Sequence, residues 1–225
     1  MSENFEFSLE NKLIEANVSC DGSGIEVEKT NFKAFEERAL LYLELLLKWN
    51  KKMDLVSPAP AKQIFEKHIL DSLICALVAK KHVPEASNIM DVGSGAGFPG
   101  VLLALVCQNS PTLLVEPRAK RVVFLKELRR ALGLKNVEIY ESRLEDLPEI
   151  PPLGLLTSRG LGLREALLEL AGPNLGSQGA YLEMFSGDQV GNEGLEHPKF
   201  SLEHQYLYNL PESGSKRALL FWKKQ

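Results

Sequence analysis

Apolar positions along the chain follow two regimes. Between residue 30 and about Trp49, Leu40, Leu43, Leu46 and Leu47 recur at the spacing of one helical face. Thr30 stands before that stretch as an N-cap. A second helix is expected from Pro60 to Lys81, with Pro84 closing the segment. From Asn88 onward the pattern changes. Short apolar runs at Ile89–Val92, Thr112–Glu116, Val137–Tyr140, Gly154–Thr157 and Ala180–Phe185 read as strands, with helical stretches near 98–108, 118–132 and 162–172 between them. Such alternation predicts a parallel sheet. The tail departs from it: Phe200–Leu210 and Arg217–Lys223 are two strands joined by Pro211-Glu-Ser-Gly-Ser215, too short for a crossover helix, so they form an antiparallel hairpin. The expected organisation is an N-terminal extension over 1–29 (a loose helix and a linker), a small helical lobe over 30–85, and an α/β domain over 86–225.

Composition narrows the class. Of 225 residues 44% are hydrophobic and 25% charged, enough for a buried core and a soluble surface. The N-terminus, MSENFEFSLENKL, is acidic and lacks a signal-peptide core. The most apolar runs, Leu40 to Leu47 and Val101 to Cys107, fall short of the roughly 20 residues that span a bilayer. A cytoplasmic protein without a membrane partner, acting as a monomer, is the expectation. Cys20, Cys75 and Cys107 are odd in number and far apart, and none forms a metal-ligand pair, so they are expected as reduced thiols with no metal site.

The chemistry concentrates in Asn88-Ile-Met-Asp-Val-Gly-Ser-Gly-Ala-Gly-Phe-Pro-Gly100. A short strand runs into glycines and then into an apolar helix. Glycines let the backbone turn sharply and leave room for a ligand, and the helix-start N–H groups are expected to face its polar part. From Gly95 the segment satisfies G-x-G-x-x-G, but the turn begins at Gly93, two residues earlier than in a nicotinamide site. Asp91 precedes the turn, placed to orient the loop or a ligand ammonium, or simply to cap the loop. Glu116 ends the next strand, where a carboxylate can accept both ribose hydroxyls. These features favour S-adenosylmethionine and, with the terminal hairpin, a Rossmann-like class I methyltransferase sheet. The loop Glu141-Ser-Arg-Leu-Glu-Asp146 lies on the same sheet edge, where the backbone of Leu144 and Glu145 can pair with adenine, although a plain surface turn explains these residues equally well. Arg159, at the end of the fourth predicted strand, suits a charge-assisted bond to the cofactor carboxylate, with an ordinary surface arginine as the alternative.

Together these segments resemble the RsmG family, also called glucose-inhibited division protein B, over about Lys48 to Lys223. The matching stretches are Lys48-Trp-Asn50, Asp54-Leu55, His68-Ile-Leu-Asp-Ser72, Asp91-Val-Gly-Ser-Gly-Ala-Gly-Phe-Pro-Gly100, Lys120-Arg-Val-Val-Phe-Leu125, Ser142-Arg-Leu-Glu145 and Ser158-Arg159. The resemblance implies methylation of N7 of a guanine in 16S ribosomal RNA, with Gly93, Phe98, Leu144, Glu145 and Arg159 at the cofactor and no general base; Gly95 and Gly97 join them as candidates from the glycine turn itself. Three positions depart from the pattern: Leu153-Gly154 where the family has an acid, Gly160 where it has alanine, and Ser186-Gly187 where it has Lys-Gly.

Net charge is −4, so RNA affinity has to be local. Arg118, Lys120, Arg121, Lys126, Arg129, Arg130 and Lys135 stand against Glu127 alone, and residues 48–81 add seven lysines against Asp54, Glu66 and Asp71. Arg118, Lys120 and Arg121 are the candidate RNA contacts. His68, Asp71 and Ser72 share a helical face and read as a structural network between the lobe and the sheet. The competing readings are a nicotinamide-dependent oxidoreductase and a non-catalytic RNA-binding assembly factor.

Overall fold

The computed structural model describes residues 9–16, 18–20, 23–24, 32–186 and 196–225. The expected cap Thr30 and Gly187 lie outside them. Among the described residues helix α1 (Leu9–Ala16) comes first, followed by the short strands β1 (Ser19–Cys20) and β2 (Ser23–Gly24). The long helix α2 (Phe32–Met53) is next. Its buried stripe, Ala39, Tyr42, Leu43 and Leu46, follows the i, i+3, i+4, i+7 rule. It ends at Asp54, whose φ of 49° is left-handed, while the Asn50 side chain accepts from the Val56 N–H at 2.8 Å.

The second predicted helix is one path with three parts: α3 (Ala61–Ile64), a π-helical turn over Phe65–Leu70, and α4 (Asp71–His82). Such wide turns interrupt the regular ladder and commonly sit at functional sites. Here the turn carries Lys67 and His68 and delivers Asp71 to the sheet edge.

The remaining elements alternate as expected: β3 (Asn88–Val92), α5 (Gly100–Val106), β4 (Thr112–Val115), α6 (Ala119–Ala131), β5 (Val137–Tyr140), β6 (Leu153–Arg159), α7 (Arg164–Leu170), β7 (Leu175–Ser186), β8 (Phe200–Asn209) and β9 (Lys216–Lys224). Among the described residues one sheet forms in the order β2-β1-β8-β9-β7-β6-β3-β4-β5. Pairs among β3, β4, β5, β6 and β7 are parallel, whereas β9 is antiparallel to both β7 and β8. Strand β1 adds to the edge of β8, so part of the N-terminal extension is sheet and not linker.

Side chains alternate across the sheet with period two. Ile89, Leu114 and Leu155 face a large apolar cluster shared with α1, α2, α4, α5 and α6; Met90, Val115 and Leu156 face a smaller one against α7. The helices of residues 32–82 thus share one core with the sheet. Two departures from the family pattern have local causes. A Cβ on Gly154 would meet the Ser87 hydroxyl at 1.9 Å, and Gly160 has a left-handed φ of 64° that an alanine adopts only at a cost. Cys75 is buried, Cys107 half-buried, and both thiols are free. Among the described residues no helix is long and apolar enough to cross a membrane.

Candidate functional site

Strand order reverses between β3 and β6, and in open parallel sheets ligands bind at the carboxyl ends flanking that point. A cleft of about 400 Å³ opens there, within the roughly 300–1,000 Å³ range of cofactor pockets. Val92, Gly93, Pro117, Leu144, Glu145 and Leu161 are among its lining residues. Nothing in the sequence pattern singled out Leu161. It sits between two left-handed glycines, Gly160 and Gly162, and its side chain covers Gly93 so closely that a Cβ there would lie 2.9 Å from it.

The glycine loop is closed on its own hydrogen bonds. The Gly93 and Ser94 N–H groups donate to the Val115 carbonyl at 2.8 and 3.1 Å, and those of Gly97 and Phe98 donate to the Ser94 carbonyl. Gly93, Gly95 and Gly97 have φ of 71°, 57° and 98°, values that only glycine takes readily. The expectation that the following helix start faces a ligand is not met. The Gly100 N–H donates instead to Asp91 Oδ2 at 3.0 Å, and a Cβ on Gly100 would press into Leu114 and Asp91.

Asp91 is fully buried beneath the loop, and its Oδ1 has no partner. Burial raises its carboxyl to a pKa of about 7, against the lowering effect of the bonds from Gly100 and Ser94. With no exposed surface, Asp91 is placed to cap and orient the loop and not to meet a ligand ammonium. Glu116 bridges two segments: Oε2 accepts from Gly95 N–H at 2.8 Å and Oε1 from Arg118 N–H at 2.9 Å. Each oxygen retains a lone pair for a further donor. Glu116 is 2% exposed and lies in the chain between Val115 and Pro117, which both line the cleft, so an apolar cleft backed by a carboxylate fits an adenosine-bearing ligand.

Arg121 is not part of the open basic surface. Its guanidinium reaches back to 3.8 Å from Glu116 Oε2 and would lie 3.6 Å from a Cβ on Gly95. Arg118 and Lys120 are exposed at the start of α6, beside the same loop. Glu145 is exposed, 3.7 Å from Arg143, and Leu144 is buried as part of the cleft wall.

Phe98 and Arg159 face the helical lobe. The Phe98 ring lies between Tyr42, at 5.1 Å and nearly parallel, and His68, at 5.3 Å. The Tyr42 hydroxyl donates to the Ala96 carbonyl, tying α2 to the glycine loop. Burial, and then the charges of Arg159, Lys67 and Arg217, push His68 down to about 3, so it is neutral. Arg159 stacks on Phe98 at 5.7 Å and donates to the Lys67 carbonyl at 2.6 Å and to Ser72 Oγ at 3.4 Å. It also pairs with Asp71 at 3.3 Å. Tyr42 gave no signal in the sequence beyond its place in an apolar helix.

The family model described as "GidB: rRNA small subunit methyltransferase G" matches residues 36–219. A protein named ribosomal RNA small subunit methyltransferase G from Desulfotalea psychrophila is 34% identical, covering 92% of this chain and 95% of that protein. One of the same name from Xylella fastidiosa is 32% identical over 83% of this chain and 85% of its own length. Among solved structures, a SAM-dependent methyltransferase from Aquifex aeolicus aligns with a TM-score of 0.54 at 18% identity, covering 73% of this chain and 94% of that one. M. jannaschii TYW2, solved with AdoMet, aligns at 0.51 with 13% identity, covering 69% and 77%. Those two similarities establish the fold, that of class I methyltransferases. The family match spans most of the residues just described, and this chain belongs to the GidB family of rRNA small subunit methyltransferases G.

Proposed function

We propose that this chain transfers a methyl group from S-adenosylmethionine to N7 of a guanine in small-subunit (16S) ribosomal RNA. The observation that carries the reading is the cleft at the β3/β6 switch point, lined by Gly93, Pro117 and Leu144, with the Glu116 carboxylate next to Pro117 in the chain and bonded to the Gly95 N–H. In this reading Glu116 accepts the ribose hydroxyls. Pro117 and Leu144 pack on the adenine, and the Leu144–Glu145 backbone meets its polar edge. Gly93, Gly95 and Gly97 let the chain pass close to the ligand, with Asp91 and Phe98 fixing the loop from below and from the lobe. Arg159 binds the carboxylate of the cofactor's methionine moiety.

The cofactor supplies an electrophilic methyl on a sulfonium. Guanine N7 already carries an in-plane lone pair at neutral pH, so no general base is needed. The protein's contribution is alignment, worth about 7–11 kcal/mol when reacting atoms are held in line. A-form grooves hide N7, so the target base enters from a loop or an unpaired end. Arg118 and Lys120, exposed at the rim, are placed to meet RNA phosphates. One chain carries every residue of the proposed site, in keeping with a monomer acting in the cytoplasm. The nicotinamide alternative is set aside by family membership, and the antiparallel β8–β9 hairpin argues against it as well.

The test is tritiated methyl transfer to small subunits and to stripped rRNA, followed by mass mapping of the labelled nucleotide. N7-methylguanosine at one position is the expected product. RNA binding without label uptake would instead favour the non-catalytic assembly factor.

A further inference from the structure

We infer that Asp71 is a positioning residue for cofactor capture, holding the Arg159 guanidinium at the end of β6 so that it meets the carboxylate of the methionine moiety. The inference rests on the cofactor reading above and assigns a role to the His68–Ser72 segment, which that reading left as packing.

Asp71 opens α4 directly after the π-helical turn and is 2% exposed. Its Oδ2 lies 3.3 Å from Arg159. Its Oδ1 accepts from the Tyr208 hydroxyl at 2.6 Å and lies 3.5 Å from Arg217. Two guanidiniums therefore share one carboxylate, while the adjoining His68 and Tyr208 are neutral. Arg159 and Arg217 outweigh Asp71 by one positive charge and Lys67 adds another nearby, so the junction is positive and attracts a carboxylate ligand. Of the groups bonded to Arg159 from the lobe, Ser72 is fully buried and Asp71 nearly so, whereas the Arg159 side chain is 21% exposed. Arg159 is thus more open than the lobe groups that hold it, while Arg217, 16% exposed, is anchored on the same carboxylate from β9.

Two effects oppose each other when Asp71 is neutralised. The local potential becomes more positive, which attracts a carboxylate, but the guanidinium loses the anchor that sets its direction. Partial exposure screens the first. The second removes a directional charge-assisted bond and restores rotamer freedom that the bound state must again freeze. Loss of orientation dominates, so Asp71→Asn binds the carboxylate-bearing ligand more weakly.

The experiment compares two ligands by calorimetry on the full chain: S-adenosylhomocysteine, which carries the carboxylate, and 5′-methylthioadenosine, which keeps the adenosine and lacks it. Asp71→Asn is expected to weaken the first at least tenfold and the second less than twofold. In an Arg159→Gln background, adding Asp71→Asn is expected to cause no further loss. Equal loss of both ligands would mean a merely structural role, and unchanged or tighter binding of S-adenosylhomocysteine would also overturn the inference. Should Asp71→Asn fail to fold, Ser72→Ala removes the second lobe contact and is expected to give the same selective loss at three- to fivefold; no selectivity there would equally overturn it. A wild-type chain that binds neither ligand would count against the cofactor reading itself.

Discussion

Asp91 on β3 and Glu116 directly after β4 both bond to the same glycine loop, yet their surroundings assign them different work. The Asp91 carboxyl, buried with Oδ1 unpartnered, is raised from its ordinary 3.8 to about 7. In the unfolded chain it ionises near 3.8, so between these values the folded state binds more protons than the unfolded one. Its contribution to stability is therefore present in full below about pH 3.8 and falls as pH rises towards 7. The difference corresponds to at most about 4 kcal/mol. Asp91→Asn keeps an acceptor for the Gly100 N–H and has no proton to lose. Melting temperatures from pH 4 to 8 are expected to show the variant gaining on the wild type up to about pH 7 and level beyond it. Parallel profiles would mean that Asp91 ionises normally. Glu116 is different because both its oxygens already serve backbone donors, one in the glycine loop and one at the start of α6. Glu116→Gln turns an amide N–H towards one of them and removes the charge that, in the proposed reading, accepts the ribose hydroxyls. Calorimetry is expected to show at least tenfold weaker binding of both S-adenosylhomocysteine and 5′-methylthioadenosine, since both contain the ribose. Unchanged affinity would remove Glu116 from the site.

Among the elements, the contacts that tie α2 to the glycine loop set the shape of the cleft. Tyr42 is fully buried, donates to the Ala96 carbonyl and stacks on Phe98. Tyr42→Phe keeps the ring and leaves that buried carbonyl without its donor, a change that costs about 1–3 kcal/mol. Urea unfolding is expected to show this loss together with a few-fold weaker cofactor affinity, because the loop is no longer fastened from the lobe. A stability loss with unaltered affinity would separate the tyrosine from the site. The strands were largely legible from sequence because each is a short apolar run between turn residues: Val137–Tyr140 is found with the expected bounds. Strand β7 starts five residues before the expected Ala180–Phe185 and ends one after it. Leu175-Gly-Ser-Gln-Gly179 has the composition of a turn, but it forms a bulged strand in which a Cβ on Gly179 would meet the Leu153 carbonyl at 2.8 Å. The glycine loop and Glu116 were visible because local chain chemistry forces them. The grip of Lys67, Asp71 and Ser72 on Arg159 was not, since it joins residues about 90 positions apart through a π-helical turn that breaks the 3.6-residue period. The same holds for Phe98, whose ring packs towards the lobe.

Across the whole molecule, a net charge of −4 hides a locally basic surface. Helices α2 and α6 pack together through Trp49 and Phe124, with ring centroids 5.9 Å apart, which unites two basic runs separated by about 70 residues of sequence. The Glu127 carboxyl on α6 is drawn down by its hydrogen bond to Arg130, and Lys48 on α2 adds to the effect, so the two runs lie within one electrostatic neighbourhood. Arg121, in contrast, is engaged with Glu116, and a charge reversal there would disturb cofactor and RNA together. Lys51 and Lys126 are the cleaner probes, because both are exposed and neither lines the cleft. If each neutralises one phosphate of an unpaired rRNA segment, the double variant Lys51→Ala/Lys126→Ala releases two fewer counterions on binding. The slope of log affinity against log salt is then expected to become shallower by about 1.4, at roughly 0.7 per phosphate for single strands. Cofactor affinity should be unchanged, since the glycine loop keeps all its contacts. An unaltered salt slope in filter-binding titrations would take Lys51 and Lys126 out of the RNA path and leave Arg118 and Lys120 as the candidate contacts.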